Sequence, residues 1–262
     1  MIVADQAPAP VTNPCQVIER RYQCPNLVMT PPDDLVARRT PNGRLLLQMD
    51  NYLWNKGPGR VQFRGHRSQR YLMDAVQIVD RTGGRSPIPV VTGARLTWKY
   101  VDRARGSFWK FQNAARFELY KLDARGRGTR LVRTGPKLDY CLRDLFRFGR
   151  GPKVRMDWGF GACSQDVRAS SVTLGISVGW ADGYPWSYPQ NWIDVTGRRG
   201  CHVILHRADP LNHVIETRED DNTARKVVNL PYRPGRQGCP AYRGLAGGAA
   251  GSGASGKAPG SA

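Results

Sequence analysis

Hydrophobic and polar residues alternate with a period of two along much of this chain. The alternation is clear at 96–101, 116–119, 172–178 and 201–206, and it is typical of β-strands whose two faces meet different surroundings. An apolar period of 3.6 residues appears only in short pieces such as 141–148, so long helices are not expected. Glycine and proline turn signals separate the runs. The pattern predicts a mostly β fold, a β-sandwich of short antiparallel strands with long loops.

Composition divides the 262 residues into three parts. Residues 1–23 are proline-rich and are expected to form an N-terminal arm. Residues 24–240 carry the strand pattern and have enough apolar content for one sizeable core. Residues 241–262 are rich in Gly, Ala and Ser, which leaves little to bury and predicts a disordered tail. No run of 18 apolar residues occurs, so no transmembrane segment is expected.

Six cysteines are spread widely and form no Cys-x-x-Cys pair, which disfavours zinc and thioredoxin-type chemistry. They are Cys15, Cys24, Cys141, Cys163, Cys201 and Cys239. An even number at wide spacing favours three disulfides and an oxidising compartment, although buried free thiols in a cytosolic protein are the alternative. Sequence alone does not fix the connectivity, but proximity along the chain favours 15–24, 141–163 and 201–239.

The expected location is therefore secreted or cell-surface. Residues 1–14 lack the basic region and the apolar stretch of a signal peptide. Either export uses another route or the true start lies upstream of the printed one, and we prefer the second explanation.

The chain is strongly basic, with a formal net charge of +19 and a pI of about 10.3. Of its 40 basic residues, 8 are Lys and 32 are Arg. Such a surplus attracts anionic partners, although arginine-rich usage from a GC-rich genome would explain it equally well. No aromatic-basic motif, zinc-knuckle spacing or basic helix accompanies the charge, which disfavours nucleic acid. An anionic extracellular polymer or an acidic protein is the expected partner.

Several short motifs occur in a fixed order between about residues 27 and 230. They are Leu27–Leu35, the Trp54–Gly59 turn within 45–64, residues 107–122 with Ala115–Leu119, Gly175–Tyr184, Pro189–Gly197 and Glu216–Ala224. Together these segments resemble the catalytic domain of the lysyl oxidase family in its bacterial form. The resemblance implies a copper-dependent oxidase of primary amines, a protein-lysine 6-oxidase.

The same resemblance assigns roles to three residues. Lys137, four residues before Cys141, and Tyr184, which follows Gly179–Gly183, would be the precursors of a lysine tyrosylquinone cofactor. The quinone would take the substrate amine as a Schiff base, and Asp182 would be the base by proximity. Without the resemblance, Lys137 would be interpreted as a solvated strand-edge cation and Tyr184 as a half-buried loop aromatic.

The family's copper ligands are absent from this sequence. The resemblance places a His-x-His-x-His run at Gly106, Phe108 and Lys110, where three imidazoles at alternate strand positions would converge on one ion. The four histidines of the chain lie elsewhere, at His66, His202, His206 and His213. Since two of them are four residues apart on one predicted strand, they cannot share a metal. The expectation is no metal site and no cofactor.

Two hypotheses from different classes remain. The first is a copper-free, catalytically inactive lysyl-oxidase-like domain that binds an anionic extracellular partner. The second is a genuine copper-dependent amine oxidase whose metal site is built from other residues. Copper stoichiometry and a quinone stain distinguish them.

Overall fold

The fold is mostly β and antiparallel, as the alternating pattern predicted. The computed structural model describes residues 13–17, 21–148, 159–236 and 238–246. Most of the predicted arm, residues 1–12 and 18–20, lies outside these ranges, as do residues 247–262 of the predicted tail. Residues 241–246, also predicted as tail, are described, and Tyr242 and Leu245 among them pack on the domain. Within the described residues, no helix has the length and hydropathy needed to span a bilayer.

Helical structure in the described residues is limited to two short pieces, α1 (Pro14–Val17) and a 3-10 turn at Thr82–Gly84. The strands are β1 (Tyr22–Gln23), β2 (Leu27–Met29), β3 (Val36–Arg39), β4 (Leu45–Gln48), β5 (Asn51–Asn55), β6 (Val61–Gln69), β7 (Leu72–Arg81), β8 (Ile88–Asp102), β9 (Gly106–Leu122), β10 (Gly128–Thr134), β11 (Leu138–Tyr140), β12 (Phe146–Arg147), β13 (Ser171–Ile176), β14 (Trp180–Tyr184), β15 (Trp192–Asp194), β16 (Gly200–Ala208) and β17 (Thr223–Leu230).

Three sheets are formed by these strands. The largest has the order β13-β6-β7-β8-β9-β16-β17, with β1 added to β7 and with β10 and β11 added to β9. A four-stranded sheet has the order β12-β14-β5-β2, and a three-stranded sheet has the order β15-β4-β3. Strand β9 is the longest and pairs with four others, because its first half pairs with β8, its middle with β11 and its second half with β16 and β10.

The apolar alternation predicts part of the core correctly. It fails where a strand is covered on both of its faces. In β8, Leu96 is buried, but Tyr100, on the same face in regular register, is exposed near the end of the strand. Val101 is buried at the point where the register shifts between Tyr100 and Asp102. Such a bulge reverses the faces of the residues beyond it. In β16, neighbouring residues from His202 to His206 are all buried, because the strand lies inside the largest sheet with chain packed on both faces.

Three disulfides connect the pairs that sequence proximity favoured. Cys15 bonds Cys24, Cys141 bonds Cys163 and Cys201 bonds Cys239, with Cα–Cα distances of 5.9, 5.7 and 5.5 Å. These distances lie within the usual range for disulfides. The bridges fasten the N-terminal segment, the segment after β11 and the segment after β17 to the domain, so the predicted disulfide stapling is confirmed.

The chain between β16 and β17 is attached to the body of the domain by buried carboxylates. Glu216 accepts hydrogen bonds from the Leu27 backbone N–H at 2.6 Å and from Asn222 Nδ2 at 2.7 Å. Asp209 accepts from the backbone N–H groups of His213 and Val214. These contacts satisfy polar backbone groups that would otherwise be buried without partners.

Candidate functional site

Four buried polar or aromatic side chains meet where β9, β11 and β14 approach each other. Lys110 projects from β9, opposite Thr97 of β8, and Tyr140 lies on β11, opposite Phe111 of β9. Asp182 and Tyr184 are two residues apart on β14, so both side chains lie on one face of that strand. The segment after β14 supplies Tyr188, which is also buried. We call Lys110, Tyr140, Asp182, Tyr184 and Tyr188 the Lys110 cluster.

Lys110 is the central cation of the cluster and is only 3% exposed. Its Nζ donates a hydrogen bond to Tyr188 Oη and lies 4.9 and 5.2 Å from the ring centroids of Tyr188 and Tyr184. Burial lowers the pKa of Lys110 to about 8, and the nearby Asp182 only partly offsets this effect. The amine is therefore much closer to losing its proton at neutral pH than an exposed lysine is.

The three tyrosine rings pack against one another beside the lysine. The ring of Tyr184 is 4.9 Å from that of Tyr140, edge to face, and 4.2 Å from that of Tyr188. Tyr184 Oη accepts a hydrogen bond from the Cys141 backbone N–H at 2.9 Å, and Tyr140 Oη donates to Asn51. Burial raises the pKa of Tyr140 and of Tyr184 well above the ordinary value, so both phenols stay neutral.

Asp182 is fully buried and incompletely paired. Its Oδ1 accepts from the Gly183 backbone N–H at 2.9 Å, whereas no described group hydrogen-bonds Oδ2. Burial raises the pKa of this carboxyl well above its ordinary value, although the positive charge of Arg143 favours the ionised form. A carboxyl in such surroundings is held near its neutral form and can donate a proton.

Two cavities border the cluster, and Lys110, Tyr184 and Tyr188 line both. The smaller one measures about 50 Å³ and is also lined by Lys137, Lys99 and Asp139. The larger one measures about 340 Å³. It combines two cations with an apolar wall, namely Arg105, Arg143, Phe108, Leu145, Phe146 and Pro185. The larger cavity is within the usual size range for small-molecule sites.

Some of the residues singled out by the family resemblance line common cavities. Lys137 is exposed at the start of β11 and lines the smaller cavity together with Tyr184. Asp182 lies on the same face of β14 as Tyr184. On β9, Phe108 and Lys110 line the larger cavity, while Gly106 begins the strand with a φ of +79°. The three-dimensional arrangement thus brings together residues that are distant in sequence.

The side chains at these positions do not fit a copper ion. Gly106 and Phe108 offer no donor atom, and the Lys110 amine already donates to Tyr188. Within the described ranges, no group of three or more His, Cys, Asp or Glu side chains is placed to hold a metal. His202 and His206 share β16, where the His206 ring stacks on Phe117 at 4.2 Å. His66 is on β6, and His213 follows β16 near Gly93.

Sequence reasoning treated Lys110 only as an obstacle to copper and missed its burial beside the tyrosines. The flanking Trp109 and Phe111 are both buried and, being two residues apart, lie on the same face of β9. Alternation therefore places Lys110 on the opposite face, and it does not show that Tyr184 and Tyr188 cover that face as well. Tyr140 and Arg143 carried no local signal either.

Comparison with known proteins does not assign the chain to a family. A scan against protein-family models finds no match, and a search of curated proteins finds none that is significantly similar. The fold and the Lys110 cluster therefore have to carry the functional interpretation.

Proposed function

We propose that this protein is a lysyl-oxidase-like β domain that works without copper and binds an anionic extracellular partner. The observation that carries the proposal is the position of Lys110. The residue matched to a copper ligand is a lysine, and its amine is directed between Tyr184 and Tyr188. A cation at this place repels a divalent ion instead of binding it. The scaffold keeps a polar cluster without the donor set that copper requires.

The binding half of the proposal rests on charge that is available at the surface. The turn between β9 and β10, strand β10 and the segment after β17 present a group of exposed basic side chains, which we call the basic hairpin surface: Arg125, Arg127, Arg130, Arg133 and Arg243. Arg127 pairs with Asp123, whereas within the described residues the other four form no ion pair. Arg125, Arg127 and Arg243 border one open depression of about 630 Å³.

This surface is held together by backbone contacts. The Arg243 backbone N–H bonds the Gly126 carbonyl at 2.8 Å, and the Gly128 N–H bonds the Gly244 carbonyl at 2.9 Å. Leu245 and Tyr242 pack against the cluster that includes Leu122 and Val203. Arginines from two separate chain segments are thereby fixed on one surface. Such an array suits carboxylate, sulfate or phosphate groups repeated along a polymer, because each guanidinium can donate two parallel hydrogen bonds to one such group.

Retention on immobilised heparin tests the binding half of the proposal. The variant Arg125→Ala/Arg130→Ala/Arg243→Ala should elute at clearly lower salt than the wild type. A matched control, Arg38→Ala/Arg39→Ala/Arg85→Ala, removes the same charge from exposed positions elsewhere and should elute close to the wild type. If both variants eluted at equally lowered salt concentrations, net charge alone, and not the basic hairpin surface, would determine retention. Retention that is insensitive to salt would contradict an electrostatic surface.

The three disulfides are compatible with an extracellular protein, since such bonds persist in oxidising compartments. We place the proposed binding domain outside the cell, secreted or attached to the cell surface. Six free thiols in exported material, found by mass analysis without reduction, would contradict this location.

A second candidate function is copper-dependent oxidation of primary amines through a lysine tyrosylquinone. It is favoured by one observation, the common cavity of Lys137 and Tyr184. When bound, copper and the quinone would supply the oxidation chemistry. Stoichiometric copper in the purified protein and a positive quinone stain after denaturation would favour this candidate, whereas their joint absence after copper loading supports the copper-free domain.

A further inference from the structure

We propose that the larger cavity is a covalent binding site for a small anionic aldehyde or ketone, which Lys110 captures as a Schiff base while Arg143 and Arg105 hold its anionic group. This site is independent of the basic hairpin surface and of any copper chemistry. The three features that carry it are a desolvated amine, a cavity of suitable size and two guanidinium groups on the same wall.

The position of the Lys110 amine and its lowered pKa suit the formation of a Schiff base. Lys110 Nζ makes one hydrogen bond, to Tyr188 Oη, and no carboxylate of the described residues lies within 4 Å of it. The nearby charges oppose each other, because Asp182 and Asp139 favour the ammonium whereas Lys99 and Arg143 disfavour it. Tyr184 and Tyr188 stay neutral, since burial raises the pKa of both. With its own pKa lowered to about 8, Lys110 is roughly one-tenth unprotonated at pH 7 and half unprotonated at pH 8, far more than an exposed lysine.

The cavity walls match a short anionic ligand. Arg143 is half-buried and, within the described part of the chain, forms no ion pair. Arg105 pairs with Asp102 and lies 5.4 Å from the Tyr188 ring centroid. Phe108, Leu145 and Phe146 supply the apolar remainder. A half-buried guanidinium that forms no ion pair, although its charge acts on Asp182, is the kind of group that takes a carboxylate or phosphate from a ligand.

The reaction needs no oxidant and no metal. The unprotonated Lys110 amine adds its electron pair to the carbonyl carbon, and a proton passes from nitrogen to the former carbonyl oxygen, which gives a carbinolamine. Loss of that hydroxyl as water forms the carbon–nitrogen double bond. Burial raises the pKa of the nearby Asp182 carboxyl, which makes this group an acid that can assist the departure of water. Atoms balance as amine plus carbonyl giving imine plus water.

Reductive trapping tests the proposal on the full chain. We would incubate the folded protein with pyruvate and cyanoborohydride at pH 8, which reduces imines and leaves the disulfides intact, and map the modified peptides by mass spectrometry. Lys110 is expected to be labelled first, although it is among the least exposed lysines. In urea the preference should disappear. Labelling that follows exposure in the folded protein would overturn the proposal without any variant being needed.

Two variants separate capture from anion recognition. Lys110→Met should abolish the early label, while Lys56→Met, at an exposed lysine outside the cluster, should leave it unchanged. Arg143→Met should raise the pyruvate concentration for half-maximal labelling about tenfold, which corresponds to the loss of one charged contact. Labelling by uncharged acetone should change little. An equal loss with both ketones would contradict the assigned role of Arg143, and heparin retention should be unaffected throughout.

Discussion

The Nζ of Lys110 lies 4.9 Å from the ring centroid of Tyr188 and donates a hydrogen bond to the hydroxyl of the same residue. One tyrosine thus meets the ammonium with both its π face and its oxygen. This arrangement partly replaces the lost hydration of a buried cation. It leaves the amine weakly basic and next to Tyr184, the position at which the lysyl oxidase resemblance places a quinone precursor.

Burial of Lys110 should make stability depend on pH on the alkaline side. Its pKa is about 8 in the folded protein against an ordinary 10.5, so between these values the unfolded chain binds more protons. Stability contributed at this position therefore rises as pH increases from 8 to 10.5. The shift corresponds to at most ~3 kcal/mol. Urea unfolding at pH 7.5, 9 and 10.5 should show the advantage of Lys110→Met over wild type shrinking with pH. A constant difference would contradict the lowered pKa.

Glu219 should produce the opposite slope on the acid side. Burial and the nearby Asp209 raise its folded pKa to about 7 from an ordinary 4.5, so the folded protein binds more protons between these values. Its contribution to stability is therefore present below pH 4.5 and is lost as pH rises through 7. Glu219→Gln should gain stability relative to wild type from pH 5 to pH 8.

The matched control is Asp220→Asn, one residue further along. Arg218 lowers the pKa of this exposed carboxyl, so its removal should not reproduce the gain of Glu219→Gln. Guanidinium unfolding curves at pH 5, 6, 7 and 8 provide the comparison. A parallel response of the two variants would show that bulk charge, not the buried pair of Glu216 and Glu219, sets the slope.

Two of the three disulfides should contribute similarly to the free energy of unfolding but differ in their effect on the Lys110 cluster. Removing Cys141–Cys163 or Cys201–Cys239, each by a double change to Ala, should lower the free energy of unfolding by roughly 3 kcal/mol. Only the first bridge adjoins the Lys110 cluster, because the Cys141 N–H bonds Tyr184 Oη. Selective labelling of Lys110 should therefore weaken in the first variant and persist in the second. Loss of selective labelling in both variants would show that removing either bridge loosens the whole domain.

Amine oxidation is expected to be absent from the copper-loaded protein. Gly106, Phe108 and Lys110 supply none of the three imidazoles that the family resemblance requires. Peroxide release upon addition of an alkyl amine, abolished by Tyr184→Phe, would contradict this expectation and favour the second candidate function. Restoring the three histidines is not a simple repair, because Gly106 has a φ of +79°, a conformation in which histidine is strained.

Local information in the sequence was sufficient for the strands and the disulfides. A period-two pattern reports that one face of a strand is buried, and this depends only on neighbouring residues. The alternation around Leu96 and Val203 therefore located β8 and β16 correctly. Pairing of cysteines close in sequence also succeeded, since short chain separation makes their meeting probable. The pattern failed at Tyr100, which is exposed, and at Val101, which is buried where the pairing with β9 shifts register.

The candidate site was decided by tertiary structure. Family resemblance singled out Lys137, Asp182 and Tyr184, but no local pattern indicated that Tyr140 and Tyr188 would pack against Tyr184. Nor could a local pattern show that Lys110 would be buried and desolvated among these rings. The five residues of the cluster come from strands and a loop that are separated by dozens of positions in the chain. The basicity of a lysine depends on how completely these distant segments exclude solvent, which only their packing determines.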